Sequence, residues 1–94
     1  MLKFVKIGQQ TPPKRKVDNR KQDFNEIYNE FITQKAQEQS SRCSQCGVPF
    51  CQVHCPLSNN IPDWLKLTAE GRLKEAYELS QSTNNMPEVC GRIC

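Results

Sequence analysis

Between Arg42 and Trp64 the chain reads RCSQCGVPFCQVHCPLSNNIPDW. Cys43, Cys46, Cys51 and Cys55 fall close together there, and Pro56 follows the last of them. No other feature limits the fold as strongly. Thiols this close together point to a disulfide knot, a zinc site or an iron–sulfur cluster, and the chain has to bend around whichever forms. The rest of the composition says that such a staple is needed. The chain has 94 residues, 36% of them hydrophobic, and a mean hydropathy of −0.73. A chain this short and polar buries little core, and small domains of that kind lean on a metal or on disulfides. The opening MLKFVKIGQQ lacks the apolar segment and small-residue cleavage site of a signal peptide. No apolar run approaches the roughly 20 residues that span a bilayer. The expectation is therefore a reducing, cytoplasmic compartment and no membrane, where cysteine clusters more often bind metal than pair with one another.

The spacing is Cys43-x2-Cys46-x4-Cys51-x3-Cys55-Pro56, followed far downstream by Cys90-x3-Cys94. It invites comparison with the ferredoxin run C-x2-C-x2-C-x3-C-P, in which three cysteines grip one 4Fe–4S cube and the fourth reaches another. A tight loop can present three thiolates to three corners of a cube, whereas the fourth corner is best reached from a distant segment. Gly47 and Gly91 stand beside cysteines, where bare backbone can approach the inorganic sulfides. Zinc remains open at this point, with His54 able to replace one thiol. The C-x4-C spacing is that of a zinc knuckle, an RNA-binding module. A knuckle, however, wants histidine where Cys51 stands, His54 has no partner histidine three or four residues away, and zinc leaves Cys90 and Cys94 without a role. Disulfides account for an even number of cysteines but require secretion.

Charge is spread unevenly over the net +3. Lys3, Lys6, Lys14, Arg15, Lys16, Arg20 and Lys21 stand against Asp18 alone within the first 22 residues. That stretch reads as a basic extended arm, broken by Pro12-Pro13. It is suited to solvent or to an acidic protein partner, and it has few aromatics on which bases could stack. Residues 23–94 read as one helical domain. Asp23 and Glu26 have the spacing of a capping box, and Phe24, Ile27, Tyr28, Phe31 and Ile32 recur along one helical face, which predicts a helix over 24–40. A second helix is expected after Asn59 or Asn60 as cap, with Pro62 in its first turn and Gly71 closing it. A third is expected over about 72–81, and a last short turn is opened by Pro87. Nothing alternates with the period of a strand, so the fold class is all-α: a small helical, ferredoxin-like domain with cysteine-rich loops organised by its metal.

The segments RCSQCGVPFCQVHCPLSNNIPDW, EGRLKEAYEL and TNNMPEVCGRIC together resemble the N-terminal domain of the glutamate synthase small-subunit family, which also occurs in dihydropyrimidine dehydrogenase. The resemblance runs from about residue 24 to Cys94. It implies two 4Fe–4S clusters lying between an NADPH-reduced FAD and an FMN in the large (alpha) subunit, where glutamate is made from glutamine and 2-oxoglutarate. Carried over by position, Cys43, Cys46 and Cys51 resemble three ligands of one cluster, and Cys55 and Cys94 ligands of the other. Cys90 is the weakest match, either a ligand or a thiol beside the cluster. The family continues past Cys94 into further cysteines and then into FAD and NADPH domains. No GxGxxG is present here, so the resemblance implies a fragment with no dinucleotide site of its own. Two rivals stand beside this reading: a zinc-stabilised nucleic-acid-binding module and a subunit-docking module whose metal only holds the fold.

Overall fold

The computed structural model describes all 94 residues. The chain forms a 3-10 turn at Lys3–Val5 and then six α-helices: α1 Val17–Arg20, α2 Thr33–Ser40, α3 Phe50–Val53, α4 Ile61–Ala69, α5 Leu73–Gln81 and α6 Pro87–Ile93. No strand forms, and the β pairing is a single bridge between Lys14 and Tyr28. The all-α expectation holds.

The organising unit is α4, which packs against α5, α2 and α3. Its boundaries follow from local chemistry. Asn60 is the N-cap residue and Pro62 sits in the first turn, where a missing N–H costs nothing. The Asn60 side chain does not cap the helix; its amide donates instead to the Asp63 carboxylate at 2.7 Å. At the other end Gly71 takes φ +81°. Its N–H donates to the Thr68 carbonyl, and the Arg72 N–H reaches back to Leu67. This is the Schellman pattern, which satisfies two otherwise orphaned helix carbonyls. A Cβ at Gly71 would also lie 2.7 Å from the end of the Gln37 side chain of α2, which would have to swing aside, so glycine is favoured there chiefly by conformation.

The expected helix over 24–40 is half absent: α2 begins at Thr33. The capping-box residues are engaged elsewhere. The Arg15 guanidinium grips Asp23 with two bonds of 2.9 and 2.7 Å and also donates to the Glu26 carbonyl. Asp23 Oδ1 accepts the Asn25 N–H, a local turn that competes with helix. The Arg15 N–H donates to Ile27 and the Asn29 N–H to Pro13, so residues 23–29 pair with the proline-containing segment instead of coiling. The apolar stripe is consequently not a core face. Phe24 is fully exposed, Ile27 and Ile32 are exposed, and Phe31 is half-buried.

The interior is small and polar. Ala76 is the one buried apolar side chain apart from Pro62, and no large side chain is fully buried. Buried polar groups do the joining. Asn59 accepts a bond from the Trp64 indole at 2.9 Å and donates to the Ser80 carbonyl at 2.7 Å, so one buried amide ties the entry of α4 to the end of α5. Residues 1–10 lie across the end of α2. The Leu2 N–H donates to the Cys43 carbonyl and the Lys3 N–H to Ser41, Arg42 Nε donates to Ile7, and the Gln39 amide both accepts from the Gln10 N–H and donates to Gly8.

Candidate metal centre

The cysteine run leaves α2 at a pair of buried serines, Ser40 and Ser41. The Cys43 N–H donates to the Ser40 carbonyl at 3.2 Å, which turns the chain sharply at the first thiol. Gln45 has φ +52°, a left-handed conformation uncommon for a residue with a Cβ, and it reverses the chain between Cys43 and Cys46. Pro49 opens α3, which carries Cys51. Cys43, Cys46 and Cys51 thereby line one cavity of about 530 Å³, together with Phe4, Pro62 and Leu65. Cys43 is half-buried, and Cys46 and Cys51 are exposed.

The other cysteines lie elsewhere. Cys55 is half-buried after α3, with its carbonyl accepting from the Ser58 N–H. Cys90 and Cys94 sit on and at the end of α6, both exposed. The Cys90 thiol faces the side-chain amide oxygen of buried Asn84 at 3.8 Å. All six are free thiols. The structure brings three predicted site residues to one cavity but closes no three potential ligands into a metal-binding group. His54 follows α3 as an exposed residue, stacked on the Phe50 ring at 5.9 Å and 7°, and does not line the cavity. A Cβ at Gly47 or Gly91 would meet no atom within 4 Å. The close approach expected at these glycines is therefore not made by the protein's own atoms.

Ion pairs dominate the electrostatics around α6 and the N-terminal segment. Arg92 pairs with both Glu26 and Glu88. The Arg92 guanidinium, followed by the Tyr28 N–H, holds the Glu26 carboxyl below its ordinary value. Arg15, followed by the Asn25 N–H, lowers Asp23 to about 2. None of these carboxylates borders the three-thiol cavity. That cavity therefore offers three thiols and no carboxylate, in walls that mix apolar side chains with Gln39, Ser40, Arg42 and Ser44. Thiolates are the ligands that iron–sulfur clusters require, and the three thiols here supply three of the four that a 4Fe–4S cluster takes.

A small helical domain with three cysteines of a ferredoxin-like run on one cavity is of the iron–sulfur class. The chain belongs to the family described as dihydropyrimidine dehydrogenase domain II, 4Fe–4S cluster, which it matches over residues 20–94. It is 69% identical over 94 residues to the glutamate synthase (NADPH) small chain of Azospirillum brasilense, a match covering 100% of this chain and 20% of that one. The small chain of Escherichia coli is 49% identical over 94 residues, with the same shares covered. That of Halomonas elongata is 47% identical over 93 residues, or 99% of this chain and 20% of that one. The chain thus spans about a fifth of the length of these relatives.

Sequence reasoning did not single out Gln45, Ser44 or Phe4. All three stand at the thiol cavity. Phe4 belongs to the basic arm, and no local pattern signals that the arm folds back onto the cysteines.

Proposed function

We propose that this chain is the iron–sulfur electron-transfer segment of a glutamate synthase small subunit. In this reading it serves an oxidoreductase that draws electrons from an NADPH-reduced FAD and delivers them toward the FMN of a large subunit, for glutamate synthesis in the cytoplasm. The observation that carries the reading is the convergence of Cys43, Cys46 and Cys51 on one cavity, in a chain of a 4Fe–4S family that is 69% identical to a glutamate synthase small chain. We assign Cys43, Cys46 and Cys51 to one cluster, and Cys55 and Cys94 to a second, with Cys90 the weakest candidate. The organisation proposed is a basic arm over 1–22 and an iron–sulfur domain over 23–94.

A bound 4Fe–4S cluster supplies one-electron storage, which divides the hydride's electron pair into single steps. The chain's own residues hold it. Phe4, Pro62 and Leu65 line the cavity beside the three thiols. Backbone bonds from residues 2 and 3 to Cys43 and Ser41 fix the approach of the loop. In the arm Arg15 is engaged with Asp23, and exposed Lys14 and Lys16 are the cations we assign to an acidic surface of the large subunit. No helix is long and apolar enough to cross a membrane.

The test is the visible spectrum of the holoprotein purified without oxygen. The expected result is a broad brown band near ~400 nm that bleaches on reduction, as for iron–sulfur proteins. A colourless protein containing zinc would replace the reading with the structural-metal alternative.

A further inference from the structure

The two residues between Cys43 and Cys46 both turn their side chains back onto sulfur. Ser44 Oγ lies 3.0 Å from Cys46 Sγ, and Gln45 Nε2 lies 3.4 Å from Cys43 Sγ. The Gln45 amide nitrogen also donates to the Pro62 carbonyl at 2.7 Å. An amide nitrogen carries two protons, one for each of these acceptors. The Pro62 bond fixes which end of the amide is nitrogen, because a reversed amide would set oxygen against oxygen. Pro62 is buried in the first turn of α4, so its carbonyl is a fixed anchor. Gln45 is held at φ +52°, which glycine would adopt more readily. An observed outlier of this kind at a site is a reason to look for a role.

Proton counting settles the direction of the serine contact. A sulfur bound to iron is a thiolate and has no proton to give, so the Ser44 hydroxyl donates to Cys46. Hydrogen bonds to a charged acceptor strengthen as its negative charge grows. Reduction adds one negative charge to a cluster and its sulfur ligands, so donors to those sulfurs favour the reduced state and raise the potential.

We propose that Ser44 and Gln45 are positioning residues that set the potential of the cluster at Cys43, Cys46 and Cys51, each donating a hydrogen bond to one ligand sulfur. Gln45 additionally locks that sulfur to the first turn of α4. The inference rests on the ligand assignment proposed above for these three cysteines. It makes the two clusters unequal: one has side-chain donors built into the spacing of its own motif.

The experiment is a redox titration of the iron-loaded holoprotein, followed by electron paramagnetic resonance, on the parent, Ser44→Ala, Gln45→Met and the double variant. Methionine keeps the length of glutamine and removes its donors. The expected result is unchanged iron and sulfide content, one cluster shifted to a more negative potential in each single variant and further in the double, and the other cluster unmoved. A Gln45→Glu variant should shift that cluster further than Gln45→Met, because it adds a negative charge. Unchanged potentials at full iron content, or equal shifts of both clusters, would overturn the proposal. Ser44→Ala decides the matter if Gln45→Met loses iron, since no backbone group depends on the Ser44 hydroxyl. Failure of the ligand assignment is read separately: Cys43→Ser or Cys46→Ser would then retain full iron, whereas failure of the present inference shows only in the potentials.

Discussion

The two cysteine-bearing regions differ in how the protein holds them. The loop of residues 42–51 is tied from three directions by bonds with sulfur or backbone at one end. Leu2 reaches the Cys43 carbonyl, Arg42 reaches Ile7, and Gln45 reaches Pro62. Helix α6, which carries Cys90 and Cys94, is not among the helices packed on α4. Its ion-pair tie to the rest of the chain is Arg92 with Glu26. Arg92 also pairs with Glu88 within α6 itself, and solvent-exposed pairs of this kind contribute little to stability. The difference teaches that the fold itself brings three thiols of the first region to one cavity, whereas Cys90 and Cys94 have few contacts to hold them. Under the proposed ligand assignment the second region would therefore depend more on its cluster for order. Metal binding and folding are then coupled unequally along one short chain.

The largest expected effect is at the thiols themselves. Cys46→Ser should abolish one cluster in the holoprotein, removing about half of the iron if two clusters are present, because it removes a thiolate ligand. Cys90→Ser should lose less. Iron analysis of the two variants side by side measures this, and equal losses would erase the proposed division of ligands.

Next comes the support beneath the first site. Asn59→Ala leaves the Trp64 indole and the Ser80 carbonyl without their partner, and should cost about 1–3 kcal/mol in thermal unfolding. Gly71→Ala should cost about 1–2 kcal/mol for the left-handed backbone, with Gln37 displaced in addition. Gly47→Ala is the control. Its Cβ meets nothing within 4 Å and its φ is not positive, so the apo chain should tolerate it. A larger loss at Gly47 than at Gly71 would mean that the corner between α4 and α5 does not support the loop.

The smallest effect, in acid, is on the N-terminal pairing of residues 13–29, to which α6 is tied through Arg92 and Glu26. The Asp23 carboxyl is lowered to about 2 by Arg15 and the Asn25 N–H, and Glu26 is lowered by Arg92. Both native values lie below the unfolded ones, near ~4 for carboxylates. Their stabilisation is therefore complete above that range and is lost as pH falls toward 2. Amide exchange at Arg15 and Asn29, whose N–H groups join the two segments, should accelerate between about pH 4 and 2, relative to α4. Uniform acceleration across the chain would show that the N-terminal pairing is no weaker than the helical body.

Legibility followed the range of the interactions. Helices α4, α5 and α6 were readable because their signals are local: a proline in the first turn, Gly71 at a left-handed corner, and Pro87 opening the last helix. The segment 23–32 was misread because its helical period is local while its partners are not. Arg15 takes Asp23, and Pro13 takes the Asn29 N–H, across a separation that no periodicity registers. The grouping of Cys43, Cys46 and Cys51 came from the family resemblance, and the three side chains line one cavity. The return of Phe4 to that cavity and the reach of Gln45 to Pro62 depend on tertiary contacts between ordinary residue types, which carry no sequence signal.

The central claim is that the loop of residues 42–51 and helix α6 serve different clusters. Spin quantitation of the fully reduced holoprotein by electron paramagnetic resonance tests it with three variants: Cys51→Ser, Cys94→Ser and the two combined. Separate clusters predict that each single variant removes a different signal and that the double variant removes both. If both single variants remove the same signal, and the double variant removes nothing more, the two regions bind one cluster and the account is contradicted.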